Sequence, residues 1–145
     1  MITKISGDFI SHHLWFQNVI SEDVILCQVS ALEFLGMFTG YIDERAIDVY
    51  AKSEGIYDNI NYILTDTFEN IEYIQLGNVR CTTFEQTIND MLRDSDNTDE
   101  NALTEALSNY YFNHNESFAG LKINSENLDK FNQIKDCAIS YYCGG

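Results

Sequence analysis

Residues 81–92, CTTFEQTINDML, bring together a thiol, three threonine hydroxyls and two carboxylates. A cysteine beside a helix N-terminus becomes a nucleophile when its pKa falls and a histidine lies close to it. Cys81 precedes a predicted helix, and the histidines of the chain are His12, His13 and His114. No signature of a cysteine hydrolase accompanies them, and a buried free cysteine usually packs as a small apolar residue. We therefore interpret Cys81 as a structural residue.

The other polar residues of this segment fit the start and the outside of a helix. Thr82 and Glu85 stand three apart before an apolar run, a spacing typical of a capping box. Glu85 and Asp90 are five residues apart, about 140° around a helix axis, and therefore do not form a simple catalytic pair. The stripe predicted to face the core consists of Phe84, Ile88, Met91 and Leu92.

The segment DSDNTDENALTE is similar in spacing to a calcium-binding loop. The sharp turn of such a loop needs a glycine at position 6, where this chain has Asp99. His12 and His13 are adjacent and diverge on a helix, so they do not clamp one ion. We therefore predict no metal site and no cofactor. The residues at the ligand positions of the loop are Asp94, Asp96, Thr98, Glu100 and Glu105.

A nuclease site is the third chemical possibility. YIDERAIDVYAK resembles the acidic strand and lysine-bearing strand of metal-dependent nucleases, with Asp43, Asp48 and Lys52 as its members. Tyr50 occupies the position where that pattern requires an acid. The segment is better interpreted as a half-exposed strand, and the sequence predicts a protein that is not an enzyme.

Composition limits the class of partner. The chain has 145 residues and a formal net charge of −15, which argues against direct binding to nucleic acid, because basic residues must replace the counterions of the backbone. It contains no apolar run near the length of a membrane span, so we expect a cytoplasmic protein. Its four cysteines form no CxxC pair and are expected to be reduced.

The apolar pattern predicts an α+β fold. A largely buried helix is expected over residues 22–35, ended by Gly36. Alternating residues between 41 and 82, with a turn at Gly77-Asn78, predict three or four antiparallel strands. Helical spacing predicts further helices near residues 8–16, in 81–92, in TDENALTEALSNYYF and after Ser125. We expect one domain over residues 1–145, in which this sheet packs with about four to five helices.

One segment is acidic and aromatic at once. Residues 94–121 contain six acids and no lysine or arginine, together with four aromatic residues. Such a segment suits a protein interface that recognises a basic partner, because aromatic rings provide anchors and charge steers association. The predicted partner-binding residues are Asp94, Asp96, Asp99, Glu100, Glu105, Tyr110, Tyr111 and, more weakly, Trp15.

Two stretches carry a resemblance to one protein family. VSALEFLGM, residues 29–37, resembles the Ser-Ala-Leu helix of the AbiEi-type antitoxin C-terminal domain, and CTTFEQTINDML resembles its Thr-Ser…Glu-Arg-Thr segment. The similarity spans about residues 20–112. Gln86 stands where the family has an arginine, so an ion pair made by that arginine is not expected here.

The resemblance implies a non-enzymatic antitoxin that neutralises or regulates a nucleotidyltransferase-like toxin in bacterial phage defence. Antitoxins of this family usually carry an N-terminal winged helix that binds a promoter, and this chain starts where the C-terminal domain would start. We therefore expect no promoter binding. The alternative is a phage or mobile-element inhibitor, of the anti-restriction or anti-CRISPR kind, whose carboxylates imitate nucleic acid.

Overall fold

A five-stranded sheet forms the centre of the computed structural model. The structure describes residues 23–38, 47–55, 60–77, 79–94 and 100–143, without the side chains of 141–143. The strands occur across the sheet in the order β3-β2-β1-β5-β4, so that β3 and β4 lie at its two edges. They are β1 (Val24–Leu26), β2 (Ile47–Ala51), β3 (Ile60–Leu64), β4 (Tyr73–Leu76) and β5 (Val79–Thr82).

The sheet is mixed, which corrects the prediction of an antiparallel sheet with three or four strands. The pairs β1–β2 and β4–β5 are antiparallel, whereas β1–β5 and β2–β3 are parallel. Hairpin signals in the sequence report only neighbours along the chain. Of the parallel pairs, β1–β5 joins strands that are distant in sequence, whereas β2 and β3 are consecutive but parallel, so no hairpin turn joins either pair.

Residues 22–35 do not form the single helix that their apolar pattern predicts. Strand β1 comes first, and helix α1 (Gln28–Phe34) follows it. The backbone is extended at Cys27, and Gln28 has a positive φ of 53°, so a continuous helix is interrupted at this junction. Because β1 is covered on both faces, it lacks the alternation that identifies a half-exposed strand. Gly36, with φ of 75°, ends α1 as predicted.

Three longer helices follow the sheet, and together with α1 they confirm an α+β fold. They are α2 (Phe84–Arg93), α3 (Glu100–Asn113) and α4 (Leu128–Cys143). The predicted stripe of α2 is confirmed, because Ile88, Met91 and Leu92 are buried and Phe84 packs against the same core. Among the described residues, no helix has the length and apolar character needed to cross a membrane.

The start of α4 differs from its prediction. Ser125 does not cap it, since Ser125–Asn127 form a 3-10 turn with Asn124 as the N-cap. Leu128, predicted to face the core, is 43% exposed, whereas other members of the stripe are buried as expected. These are Phe131, Ile134 and Ala138; the side chain of Tyr141 and the predicted helix near residues 8–16 lie outside the described residues.

Helix α1 lies between two buried clusters. One lies on the face of the sheet that α1 covers and includes Leu26, Val49 and Cys81. The other lies among the helices and joins α2, α3 and α4. On the opposite face of the sheet, Ile25 and Tyr50 pack under the loop that leads from β3 to β4. This arrangement brings the polar side of α2 close to Tyr50.

Candidate functional site

Helix α2 carries a polar face that is partly buried, which corrects the interpretation that its polar residues coat the outside. Asp90 is 1% exposed and Asn89 is 7% exposed. The polar residues occur at helical spacing opposite the apolar stripe, so they lie on one side of the helix. That side borders a cavity of about 120 Å³, lined by Glu72, Glu85, Gln86, Asn89, Asp90, Arg93, Lys122 and Asn124.

Asp90 is the centre of a hydrogen-bond cluster that ties α2 to β2. Its carboxylate accepts from the Tyr50 hydroxyl at 2.7 Å, from Gln86 Nε2 at 2.9 Å and from Arg93 Nη2 at 3.2 Å. Burial raises the pKa of Asp90, and these three donors oppose the rise by stabilising the carboxylate. We call Tyr50, Gln86, Asp90 and Arg93 the Asp90 cluster.

The Asp90 cluster is suited to holding the fold together and poorly suited to proton transfer. Burial, followed by the hydrogen bond to Asp90, raises the pKa of Tyr50 far above its ordinary range. A phenol with such a pKa is a weak acid catalyst near neutral pH. Each partner is also engaged with Asp90, so the geometry favours a structural cross-link between the helix and the sheet.

A second network pins the chain segment before α4 to the same helix. Asn89 Nδ2 donates to the backbone carbonyls of Glu85 and Lys122 at 2.9 and 3.0 Å. Its Oδ1 accepts from the backbone N–H of Asn124 at 2.8 Å and from Asn127 Nδ2 at 3.0 Å. Asn89 therefore satisfies backbone groups of the approach to α4, which is a structural task for a buried amide.

The predicted capping box is wrong by one residue. The N-cap is Thr83, whose Oγ1 accepts from the Gln86 backbone N–H at 3.2 Å. Thr82 belongs to β5 and is buried, where its hydroxyl lies 2.6 Å from that of Thr87. Glu85 does not return to the start of the helix, because its carboxylate accepts the backbone N–H of Lys122. The Thr82 hydroxyl and the Glu85 carboxylate, which a capping box would use at the start of the helix, thus bond to other groups instead.

The buried cysteines Cys27 and Cys81 are not activated nucleophiles. Cys27 and Cys81 are fully buried, and burial raises the pKa of both thiols, that of Cys81 to about 12. His114 stacks on Tyr110 with ring centroids 3.8 Å apart, and its Nδ1 lies 2.8 Å from the Tyr110 carbonyl. His12 and His13 lie outside the described residues. The geometry agrees with the structural interpretation of Cys81.

The described residues of the nuclease-like and calcium-like patterns do not form a common site. Asp48 accepts from Asn61 Nδ2 at 3.0 Å, whereas Lys52 pairs with Asp23 at 3.7 Å. Asp43 and residues 95–99 of the acidic loop lie outside the described ranges. Within those ranges, no group of three or more His, Cys, Asp or Glu residues is arranged to hold a metal ion.

The predicted partner surface is divided by the structure. Tyr110 is 9% exposed and stacks on Phe84 at 5.4 Å, so it packs in the core. Tyr111 is half-buried, with its ring 5.0 Å from that of Phe118. Asp94 and Glu100 are exposed, and Glu105 is half-buried. Asp96, Asp99 and Trp15 lie outside the described residues. Of the predicted residues that are described, the aromatic ones are therefore buried or half-buried, and Asp94 and Glu100 are the exposed ones.

Exposed apolar side chains occur mainly on β4, which the sequence did not indicate as a binding surface. Tyr73, Ile74 and Leu76 are 39%, 37% and 56% exposed. Only Leu64 and Leu128 are large apolar residues of comparable exposure elsewhere in the described chain. The residues of β4 were recognisable as a strand, but their edge position depends on which strands pair. We call Tyr73–Leu76 the β4 edge.

Comparisons with known proteins do not assign the chain to a group. No protein-family model matches it, and no curated protein matches it.

Proposed function

We propose that this chain is a non-enzymatic acidic binding protein that acts as an antitoxin in the bacterial cytoplasm. Its partner would be a basic, nucleotidyltransferase-like toxin of a phage-defence system, which it neutralises or regulates. The observation that carries the proposal is the unbalanced negative charge of its surface. Such a surface steers a basic protein toward it and repels nucleic acid.

The basic residues of the described chain are largely occupied by internal contacts. Arg80 pairs with Asp23, and Arg93 bonds to the buried Asp90 at 3.2 Å. Lys130 lies 3.2 Å from Glu100. By contrast, several exposed acids make no ion pair with a described residue, so their charge adds to the overall negative field that steers a basic protein toward this chain. They are Asp66, Glu69, Glu116, Glu126, Asp129 and Asp136.

The two stretches that carry the family resemblance lie in contacting parts of the fold. VSALEFLGM covers α1 and its glycine stop, and CTTFEQTINDML covers the end of β5 and α2. Gln86, which replaces the arginine of the family, accepts from the Glu72 backbone N–H at 3.0 Å and donates to Asp90. A neutral residue at this position therefore has its own role in joining α2 to the start of β4.

The proposal is tested by isothermal titration calorimetry with the protein encoded by the adjacent gene, which the proposal predicts to be nucleotidyltransferase-like. The test variant reverses four charges, Asp94→Lys, Asp96→Lys, Asp99→Lys and Glu100→Lys. A matched control reverses four acids of the later surface, Glu116→Lys, Glu126→Lys, Asp129→Lys and Asp136→Lys. We expect the wild type to bind, and the test variant to bind at least tenfold more weakly than the control. Absence of wild-type binding contradicts the antitoxin proposal. Equal binding by the two variants contradicts the assignment of the binding surface.

A second candidate function follows from the same exposed carboxylates. An inhibitor that imitates nucleic acid places its acids in the basic groove of a nucleic-acid enzyme. It therefore predicts that duplex DNA or RNA competes with this protein for the partner, and that salt weakens the complex steeply. Competition by nucleic acid in the titration favours this function, whereas simultaneous binding favours the antitoxin.

A further inference from the structure

The β4 edge combines an open strand with exposed apolar side chains. No described strand pairs with its outer side, since β4 ends the order β3-β2-β1-β5-β4. All four of its residues are exposed. Sheet edges in proteins are commonly protected by charged residues, proline or a bulge, because an unprotected edge pairs with another chain. The sequence Tyr-Ile-Gln-Leu has no charge and no proline.

The register of the hairpin shows which backbone groups face outward. Antiparallel pairs alternate between hydrogen-bonded and non-hydrogen-bonded positions. The Thr83 N–H donates to the Glu72 carbonyl at 3.1 Å, which makes this pair a hydrogen-bonded one. Tyr73 lies opposite Thr82 and Gln75 opposite Arg80, one and three steps further along the ladder. Tyr73 and Gln75 therefore direct their N–H and C=O groups away from β5.

The side chains of the β4 edge divide between the two faces of the sheet. Ile74 and Leu76 lie on the face that contains Cys81 and Val79, to which they are paired in register. Tyr73 lies on the other face, where the Arg80 guanidinium is 5.9 Å from its ring centroid. An incoming strand thus meets outward hydrogen-bonding groups and, on one face, two exposed aliphatic residues.

The charges beside the β4 edge favour a basic protein as its binding partner. Glu69 and Glu72 are exposed on its N-terminal approach, and Arg80 is neutralised by its pair with Asp23. A second copy of this chain would bring another net charge of −15 to the same edge, which opposes self-association. A basic partner reduces that repulsion instead.

We infer that the β4 edge is a docking strand for an extended segment of a basic protein partner, which adds to the sheet beside β4. Residues of this segment alternate, so that aliphatic side chains pack beside Ile74 and Leu76 while lysine or arginine residues at one end face Glu69 and Glu72. This inference rests on the proposed function for the identity of the partner, and on the geometry of β4 for the mode of binding.

The sharpest test removes one outward N–H. Gln75→Pro eliminates a donor needed by an incoming strand and leaves the β4–β5 ladder intact, because proline is tolerated where the N–H faces solvent. Gln75→Ala is the matched control that keeps the N–H. The first probe is the adjacent-gene protein, measured by calorimetry. The second is a fluorescein-labelled ten-residue peptide of alternating valine and threonine with two lysines at each end, measured by fluorescence anisotropy.

We expect Gln75→Pro to bind both probes at least tenfold more weakly than Gln75→Ala. A second pair tests the same edge with no change in the backbone. Leu76→Lys should weaken binding at least tenfold relative to Leu64→Lys, which introduces the same charge at the end of the other edge strand, where Leu64 is 60% exposed.

The two probes separate the failure of this inference from that of the proposed function. If the adjacent-gene protein binds but neither pair of variants differs, the docking strand is wrong and the proposed function stands. If that protein does not bind the wild type, the proposed function fails, and the peptide alone decides the docking strand. Absence of peptide binding would then overturn it. A self-associated wild type that Leu76→Lys converts to a monomer, seen by light scattering, overturns the choice of a basic partner.

Discussion

The Asp90 cluster and the β4 edge lie next to each other, and both depart from the usual pattern in which charged residues are exposed and apolar residues are buried. At the Asp90 cluster a carboxylate is 1% exposed, whereas at the β4 edge Leu76 is 56% exposed. Glu72 joins the two regions, because its N–H donates to Gln86 Oε1 and its carboxylate accepts from the Thr83 hydroxyl at 2.9 Å. Within one part of the fold, a carboxylate is therefore buried and an aliphatic side chain is exposed.

The difference separates a structural cross-link from the proposed docking surface of this protein. The buried polar groups of the Asp90 cluster already form hydrogen bonds with one another, so few of them can bind a ligand. The apolar side chains of the β4 edge remain 37% to 56% exposed, and covering this remaining surface would be favourable. Reactive residue types are therefore a poor indicator of a ligand-binding site in this protein, and exposed apolar surface is a better one.

The largest expected effect is on stability at the Asp90 cluster. Asp90→Ala leaves the Tyr50 hydroxyl and the Gln86 amide without their acceptor, which should lower the free energy of unfolding by about 2 to 3 kcal/mol. The control is Asp136→Ala, which removes an exposed carboxylate of α4 and should change it by less than about 0.5 kcal/mol. Urea unfolding measures both, and equal values for the two variants would show that the cluster does not tie α2 to the sheet.

A smaller effect, dependent on pH, is expected for Tyr50→Phe. At neutral pH the lost hydrogen bond to the Asp90 carboxylate should cost about 1.5 kcal/mol. Burial raises the pKa of Asp90 above its ordinary 3.8, and the Tyr50 hydrogen bond lowers it, so the variant should have a still higher pKa.

The sign of this pH dependence follows from proton binding. A carboxyl with a raised pKa binds more protons in the folded protein, so its contribution to stability is fully present below pH 3.8 and is lost as the pH rises through the raised value. The loss is greater in Tyr50→Phe. The difference in unfolding free energy between wild type and variant should therefore grow from pH 3 to pH 7. A constant difference would mean that Tyr50 does not act through the Asp90 carboxylate.

The smallest effect on stability is expected at the β4 edge. Leu76→Lys and Leu64→Lys each place a cation on an exposed position and should change the free energy of unfolding by less than about 0.5 kcal/mol. Thermal and urea unfolding measure this directly. A loss above 1 kcal/mol for Leu76→Lys alone would show that Leu76 packs within the protein and would remove the contrast between the two regions.

Prediction from sequence succeeded where a pattern is local. The apolar stripes of α2 and α3 follow from helical spacing, and Gly36 ends α1 because a left-handed residue is needed there. It failed where a strand is covered on both faces, as in β1, whose continuous apolar run reads equally well as a buried helix.

The Asp90 cluster was missed for a related reason. Asp90 and Asn89 stand between the buried Ile88 and Met91, and this proximity to the apolar stripe was the available signal for their burial. Helical spacing places Asp90 at the border of the polar face. At such a position, the neighbouring elements decide whether the side chain is exposed or buried. Tyr50, forty residues earlier in the chain, provides that neighbour.

By itself the sequence determined the α+β class, the positions of α2 and α3 and the net charge of −15, because each depends on composition or on spacing along one element. Only the tertiary structure decided that Asp90 is buried, that Tyr110 belongs to the core and that β4 is an edge. These three properties depend on which distant elements meet. Burial, pairing and exposure arise from long-range contacts, which no short motif encodes.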